Sequence, residues 1–330
     1  MRKLFIFAIT ALMAGFYSCS NYYAEPEFLT STSEEMSLKA SQNSTPWNVL
    51  IASDGEMSYC SQNNICVDIY GNAYYVKDKT VRMIDAEYGN ITDLFTIPGE
   101  VSMSWCYGIA VNSKQDVYLM TNNDHLYQLN SNGQLLRDLS NNSLIFNSSY
   151  PYISGINVDP NDNVFVLSSQ GEMSHGALKK IAANGRITEV MDFGDIYFSI
   201  RGGGVFNPKG QYAYIAPTLG WTFYSPDVYK YANIVKNSGE FTIDQPGFSF
   251  KSLGSGLNNN KLYILRSNDN TIHSINPNTQ QMILQGTIPT TAAHNGALIE
   301  VGEPERIFPT PDADAFYVLY RNGNITKLSF

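Results

Sequence analysis

The sequence predicts an all-β chain folded as a six-bladed β-propeller. Three observations predict it. A two-strand pattern with a polar turn recurs along the chain, a third alternating strand follows each copy, and the spacing stays near that of one propeller blade.

The pattern is seen in "GINVDPNDNVFVL", Gly155 to Leu167. An apolar run ends in a turn rich in Asp, Asn and Pro, and a second apolar run follows, as two strands joined tightly should read. Related copies are "NICVDIYGNAYYV" from Asn64, "GIAVNSKQDVYLM" from Gly108, "GGVFNPKGQYAYI" from Gly203, "SGLNNNKLYIL" from Ser255 and "RIFPTPDADAFYVLY" from Arg306. The third strands are Thr80–Ile84, His125–Leu129, Ala177–Ile181, Asp227–Tyr231, Thr271–Ile275 and Ile325–Ser329. They alternate apolar and polar, the pattern of a half-buried strand. Weaker fourth strands follow, as in "QLLRDL" and "RITEVMDF". The last copy ends at Phe330 without a fourth strand. The apolar "WNVLIAS", Trp47 to Ser53, lies ahead of the first copy and is expected to complete that blade, removing two exposed edges.

"GIAVNSKQDVYLM" and "GINVDPNDNVFVL" resemble the inner hairpins of NHL-like six-bladed propellers, and the likeness covers Trp47 to Phe330. The resemblance extends to metal-dependent lactonase-type propellers, which carry carboxylates and Asn on channel loops. The aromatic, Gly-rich loops of this chain do not repeat that pattern. Propellers host many activities, so the resemblance implies a fold more than a function.

Composition narrows the classes. The 330 residues carry a net charge of −9 and only 15% charged residues. That balance argues against nucleic acid, which needs cationic patches. Arg2 and Lys3 precede a short apolar run, Leu4 to Gly15, followed by Phe16-Tyr17-Ser18-Cys19. This resembles a bacterial lipoprotein signal of Bacteroidetes type, with Phe16 where a Leu-like residue is usual. The implied organisation is a signal peptide over residues 1–18, lipidation at Cys19, a flexible tether over 19–46 and the propeller over 47–330. The implied location is the outer membrane, on its periplasmic face or the cell surface. Cys60 and Cys66 can pair in an oxidising compartment, or remain separate thiols beside Cys106.

Strand order assigns two loop sets to one face of such a propeller. The loops before the inner strands carry Trp105, Tyr107, Tyr150, Tyr152, Tyr197, Arg201 and Phe250. The loops between second and third strands carry His175 and the insertion "APTLGWTFYSPD" with Trp221 and Tyr224. Aromatics so gathered suit a glycan, a peptide or an envelope protein as partner. The expectation is a non-catalytic binding module without cofactor or metal. The alternative is a hydrolase or lyase at the channel mouth; His175 and His294 are its acid–base candidates, although nothing pairs them with a carboxylate. "DPNDN" and "TPDAD" contain calcium-type residues, but in turns where Asp, Asn and Pro are normal.

Overall fold

The computed structural model describes residues 65–101, 106–121, 125–145, 152–159, 161–169, 176–194, 205–206, 212–216, 228–232, 240–244, 250–259, 261–266, 268–276, 281–294 and 297–329. All belong to one compact unit, Leu38–Phe330.

Five four-stranded antiparallel sheets follow one another. The first holds β1 (Ile65–Val67), β2 (Ala73–Lys77), β3 (Thr80–Ile84) and β4 (Ile91–Thr96). The second holds β5 (Cys106–Val111), β6 (Val117–Thr121), β7 (His125–Leu129) and β8 (Leu135–Asp138). The third holds β9 (Tyr152–Val158), β10 (Val164–Ser169), β11 (Gly176–Ile181) and β12 (Ile187–Gly194). The fourth holds β13 (Val205–Phe206), β14 (Tyr212–Ala216), β15 (Val228–Ala232) and β16 (Glu240–Asp244). The fifth holds β17 (Phe250–Ser255), β18 (Leu262–Arg266), β19 (Thr271–Ile275) and β20 (Met282–Thr287). A separate hairpin, β21 (Thr291–His294) with β22 (Ala297–Glu300), comes next. The last sheet has three strands: β23 (Pro304–Pro309), β24 (Ala315–Tyr320) and β25 (Ile325–Ser329). The described residues thus contain five four-stranded blades where six were expected. Trp47–Ser53, the expected closing strand, lies outside them.

The first strands neighbour one another in sequence, β1 to β5, β9, β13, β17 and β23, and β23 returns to β1. The last, first and second sheets each press one face against the sheet before and the other against the sheet after. Because strand side chains alternate between faces, each strand divides its residues between two cores. In β2, Tyr74 enters the core shared with Ile109, Val117 and Leu119 of the second sheet. Its neighbours Ala73 and Tyr75 enter the core shared with Tyr317, Leu319 and Ile325 of the last sheet. In β6, Val117 and Leu119 face one way, while Tyr118 and Met120 face the third sheet beside Ile156 and Val166. Two-sided burial explains why second strands read as continuous apolar runs: β6 and β24 are buried at every position. The outer β4 is mostly exposed.

The polar turn between first and second strands has one physical design. Asp68 Oδ1 accepts the N–H groups of Tyr70 (2.8 Å) and Asn72 (2.9 Å). Asn112 Oδ1 does the same for Lys114 and Asp116, and Asp159 Oδ1 for Asn161 and Asn163. The residue three places on takes a positive φ: Gly71 at 85°, Gln115 at 61° and Asp162 at 62°. Asx residues hold such a turn, and Gly enters that region without the steric cost an L side chain meets. In the last sheet the Thr310 hydroxyl replaces the carboxylate, accepting the Ala315 N–H and donating to Asp314.

Neighbouring sheets are also tied by polar links. Tyr317 donates its hydroxyl to the Gly71 carbonyl (2.8 Å), and Lys327 Nζ donates to the Ala86 carbonyl (2.7 Å), joining last sheet to first. Ser113 binds the Asp162 carboxylate through both its N–H and its hydroxyl, joining second sheet to third.

Candidate functional site

Antiparallel strand order puts the entry ends of the first strands at one end of the sheets and the Asx turns at the other. At the entry ends the ladder repeats an irregularity. The register shifts at Tyr107 in β5, Ser154 in β9, Lys251 in β17 and Glu305 in β23. Each is an extra residue opposite none on the second strand, and each lies at the same distance ahead of its turn. Bulges of this kind re-aim side chains and gather beside binding and catalytic sites.

Three expected site residues fall at this end. Tyr107 is the bulged residue of β5, Tyr152 opens β9 opposite Ser169, and Phe250 opens β17 opposite Arg266. They belong to strands, not to the preceding loops as expected. Pairing resumes on the entry side of each bulge, at Cys106, Ile153 and Phe250, so the strands reach these residues. Trp105, Tyr150, His175, Tyr197, Arg201, Trp221 and Tyr224 lie outside the described residues, as does Cys19.

A cavity of about 210 Å³ lies between the first strands, with Cys66, Asn157, Ser252, Arg306, Asp68 and Asp159 among its lining. Its carboxylates are engaged, Asp68 and Asp159 by their own turns and Asp162 by Ser113 of the second sheet. Besides the two backbone donors, Asp68 Oδ2 accepts the Asn72 amide (3.0 Å) and the Tyr74 hydroxyl (2.9 Å). Asp159 accepts the Asn163 amide on both oxygens. The "DPNDN" and "TPDAD" segments are accordingly turn clasps, and among the described residues no three His, Cys, Asp or Glu side chains form a metal-holding group.

The thiols are equally quiet. Cys66 is a free thiol, pushed well up by burial and by the nearby Asp68 charge. Cys106 is free and raised by burial to about 12. Neither supplies a thiolate nucleophile at neutral pH. Cys60 lies outside the described residues.

At the entry end, Lys251 pairs with Glu303 and donates to the Pro304 carbonyl (3.1 Å). Arg321 approaches the same carboxylate at 3.6 Å. The Lys251 hydrogen bond holds the Glu303 carboxyl below its usual range. This cluster bridges β17 and β23 and fixes the rim on that side. Ser154, Lys251 and Glu305 were not singled out from the sequence. They share a backbone irregularity but no residue type, so no sequence signal marks them.

No family model matches the sequence, and no curated protein matches it. Solved structures do. Regucalcin from Agrobacterium tumefaciens, itself a calcium-binding protein, aligns with a TM-score of 0.52 at 12% identity, over 87% of this chain and 91% of that one. A chain of the mitotic checkpoint complex aligns at 0.52 and 12%, over 87% and 95%. The extracellular domain of a one-component system from B. thetaiotaomicron aligns at 0.48 and 13%, over 80% and 32%. At 12% identity the first two likenesses show the fold alone, and with the sheet order they establish that the chain is a β-propeller.

Proposed function

We propose that the protein is a cell-envelope lipoprotein whose propeller acts as a non-catalytic binding module for a glycan, a peptide or an envelope protein. The observation that carries this reading is the bulge repeated at the entry ends of β5, β9, β17 and β23. It lies where Tyr107, Tyr152 and Phe250 stand at the openings of three first strands. Aromatic and polar residues on a rigid rim suit recognition. The engaged carboxylates and the protonated Cys66 thiol of the cavity fit binding better than acid–base or nucleophilic chemistry.

The finer architecture belongs to the same proposal. The propeller is six-bladed and NHL-like, and Trp47–Ser53 pairs with β25 to complete the last blade. Cys19 carries the lipid and anchors the domain at the outer membrane. The three-stranded last sheet and the return of β23 to β1 support this closure.

The test is calorimetric titration of the whole chain with polysaccharides and peptides, beside a Tyr152→Ala/Phe250→Ala variant. Saturable binding that the variant loses, with no product released, supports the reading. Turnover of a titrated compound overturns it. Metabolic labelling with palmitate, present in the natural chain and lost in Cys19→Ala, tests the anchor.

A further inference from the structure

Ten large apolar side chains are exposed among the described residues, and they are not spread evenly. Ile69 and Tyr70 occupy the β1–β2 turn, Tyr88 the β3–β4 turn, and Ile91 opens β4. All four stand at the turn end of the first sheet, opposite the entry-end rim. Tyr70 is 66% exposed and Tyr88 64%.

These rings ride on a rigid base. The Asn72 side chain accepts the Ala86 N–H at 2.9 Å, which locks the two turns together. Asp68 clasps the first turn, and Asp85 clasps the second by accepting the N–H groups of Glu87 (3.0 Å) and Tyr88 (2.7 Å). The last sheet buttresses both through the Tyr317 and Lys327 bonds to Gly71 and Ala86. Tyrosines on turn backbones held this firmly lose little main-chain freedom on binding.

We propose that this turn end of the first blade is a docking surface for a basic peptide segment of a partner protein, with Tyr70 and Tyr88 as its anchors. Charge selects the occupant. Asp85 and Glu87 flank Tyr88, with Asp68 beneath, and Asp314 lies on the adjoining turn of the last sheet, whose Asp312 instead accepts the Asn258 amide of the fifth sheet. The fields of Asp68 and Asp85 reach Tyr317, and those of Asp314 and Asp85 reach Lys327. Lys327, a cation of this sector, donates to the Ala86 carbonyl and lies over the Tyr317 ring, and exposed Lys114 stands on the corresponding turn of the second sheet. The sector therefore shows exposed aromatic faces inside a negative field, the environment that attracts Arg and Lys by cation–π contact and steering. Ile69 and Ile91 extend it with apolar area for the partner's side-chain stems. The surface is separate from the rim proposed above, and neither reading depends on the other.

The test measures fluorescence anisotropy of a labelled nona-arginine peptide with the whole chain, at low and at physiological ionic strength. The expected result is saturable binding that weakens with salt. Tyr70→Ser/Tyr88→Ser should lower affinity about tenfold. Glu87→Lys should lower it too, and Leu298→Ser, on the exposed β21–β22 hairpin outside both surfaces, should leave it unchanged. All four substituted side chains are exposed, and thermal melts confirm folding. Equal affinity of the natural chain and the double-tyrosine variant would overturn the proposal, since charge alone then explains adhesion. So would absence of binding. Self-association of the chain, abolished by the tyrosine changes, would overturn it in favour of a second copy. A neutral oligosaccharide bound there with nona-arginine refused would overturn it in favour of a glycan.

Discussion

Replacing Asp68 by Ala removes the acceptor at the centre of the first blade's turn. The carboxylate is 4% exposed and receives four hydrogen bonds, two from backbone N–H groups, one from Asn72 and one from the buried Tyr74 hydroxyl. Hydrogen bonds to a charged group contribute about 1.5–3 kcal/mol each, and an orphaned buried donor costs about 1–3 kcal/mol. The four share one acceptor and are not additive, and the N–H groups recover some water in a partly open turn. The expected loss is therefore about 3–5 kcal/mol. Asp68→Asn keeps one oxygen for the two backbone donors, as Asn112 does naturally, and loses chiefly the charge. Its expected loss is about 1–2 kcal/mol. Urea unfolding followed by tyrosine fluorescence and far-ultraviolet dichroism measures both. A loss below about 1 kcal/mol for Asp68→Ala would refute the argument. So would an Asn variant as unstable as the Ala variant, because the clasp would then not be what holds the turn.

Other expectations follow from single contacts. A Cβ at Gly256 would stand 2.5 Å from the Pro311 carbonyl oxygen and 3.0 Å from that of Thr310, so Gly256→Ala should cost about 1–3 kcal/mol in denaturant melts. Glu303 has a lowered folded pKa, set first by the Lys251 hydrogen bond, so its contribution is present above about pH 4.3 and fades as pH falls through the folded value. Glu303→Gln should flatten the acid limb of the stability profile, measured at several salt concentrations because the carboxylate is half exposed. Burial lowers His273, the nearby Asp269 opposing and Arg266 assisting. Its stabilisation is thus present above about pH 6.5 and lost as pH falls through the folded value, and proton NMR of the ring should titrate below 6.5. His273→Gln should remove that step from the profile.

The repeat was legible in the sequence because its cause is local chemistry. An Asx residue at the end of one strand and a positive-φ residue three places later appear as "DIYG", "NSKQ" and "DPND", and two-sided burial writes the apolar runs on either side. Third strands were legible for the same reason, as alternation is a property of one strand. The bulges were not, because Tyr107, Ser154, Lys251 and Glu305 have only a backbone position in common. The β21–β22 hairpin, Thr291–Glu300, was not read either, since exposed Leu298 beside half-buried Ile299 gives it no clear two-residue alternation. Exposure of Tyr70 and Tyr88 was illegible as well, since Tyr74 and Tyr75 look alike in sequence and are buried by neighbours supplied from other sheets. Accessibility is a tertiary outcome, and one chain's letters do not carry it.

The central claim is that the bulged entry ends of the first strands form a recognition rim. Its most direct test is calorimetric titration of the whole chain with a panel of glycans and peptides, natural and Tyr152→Ala/Phe250→Ala side by side. The account predicts at least one saturable ligand whose binding the variant loses while its melting profile stays intact. Binding that survives the substitutions unchanged, or conversion of the ligand to product, would contradict it.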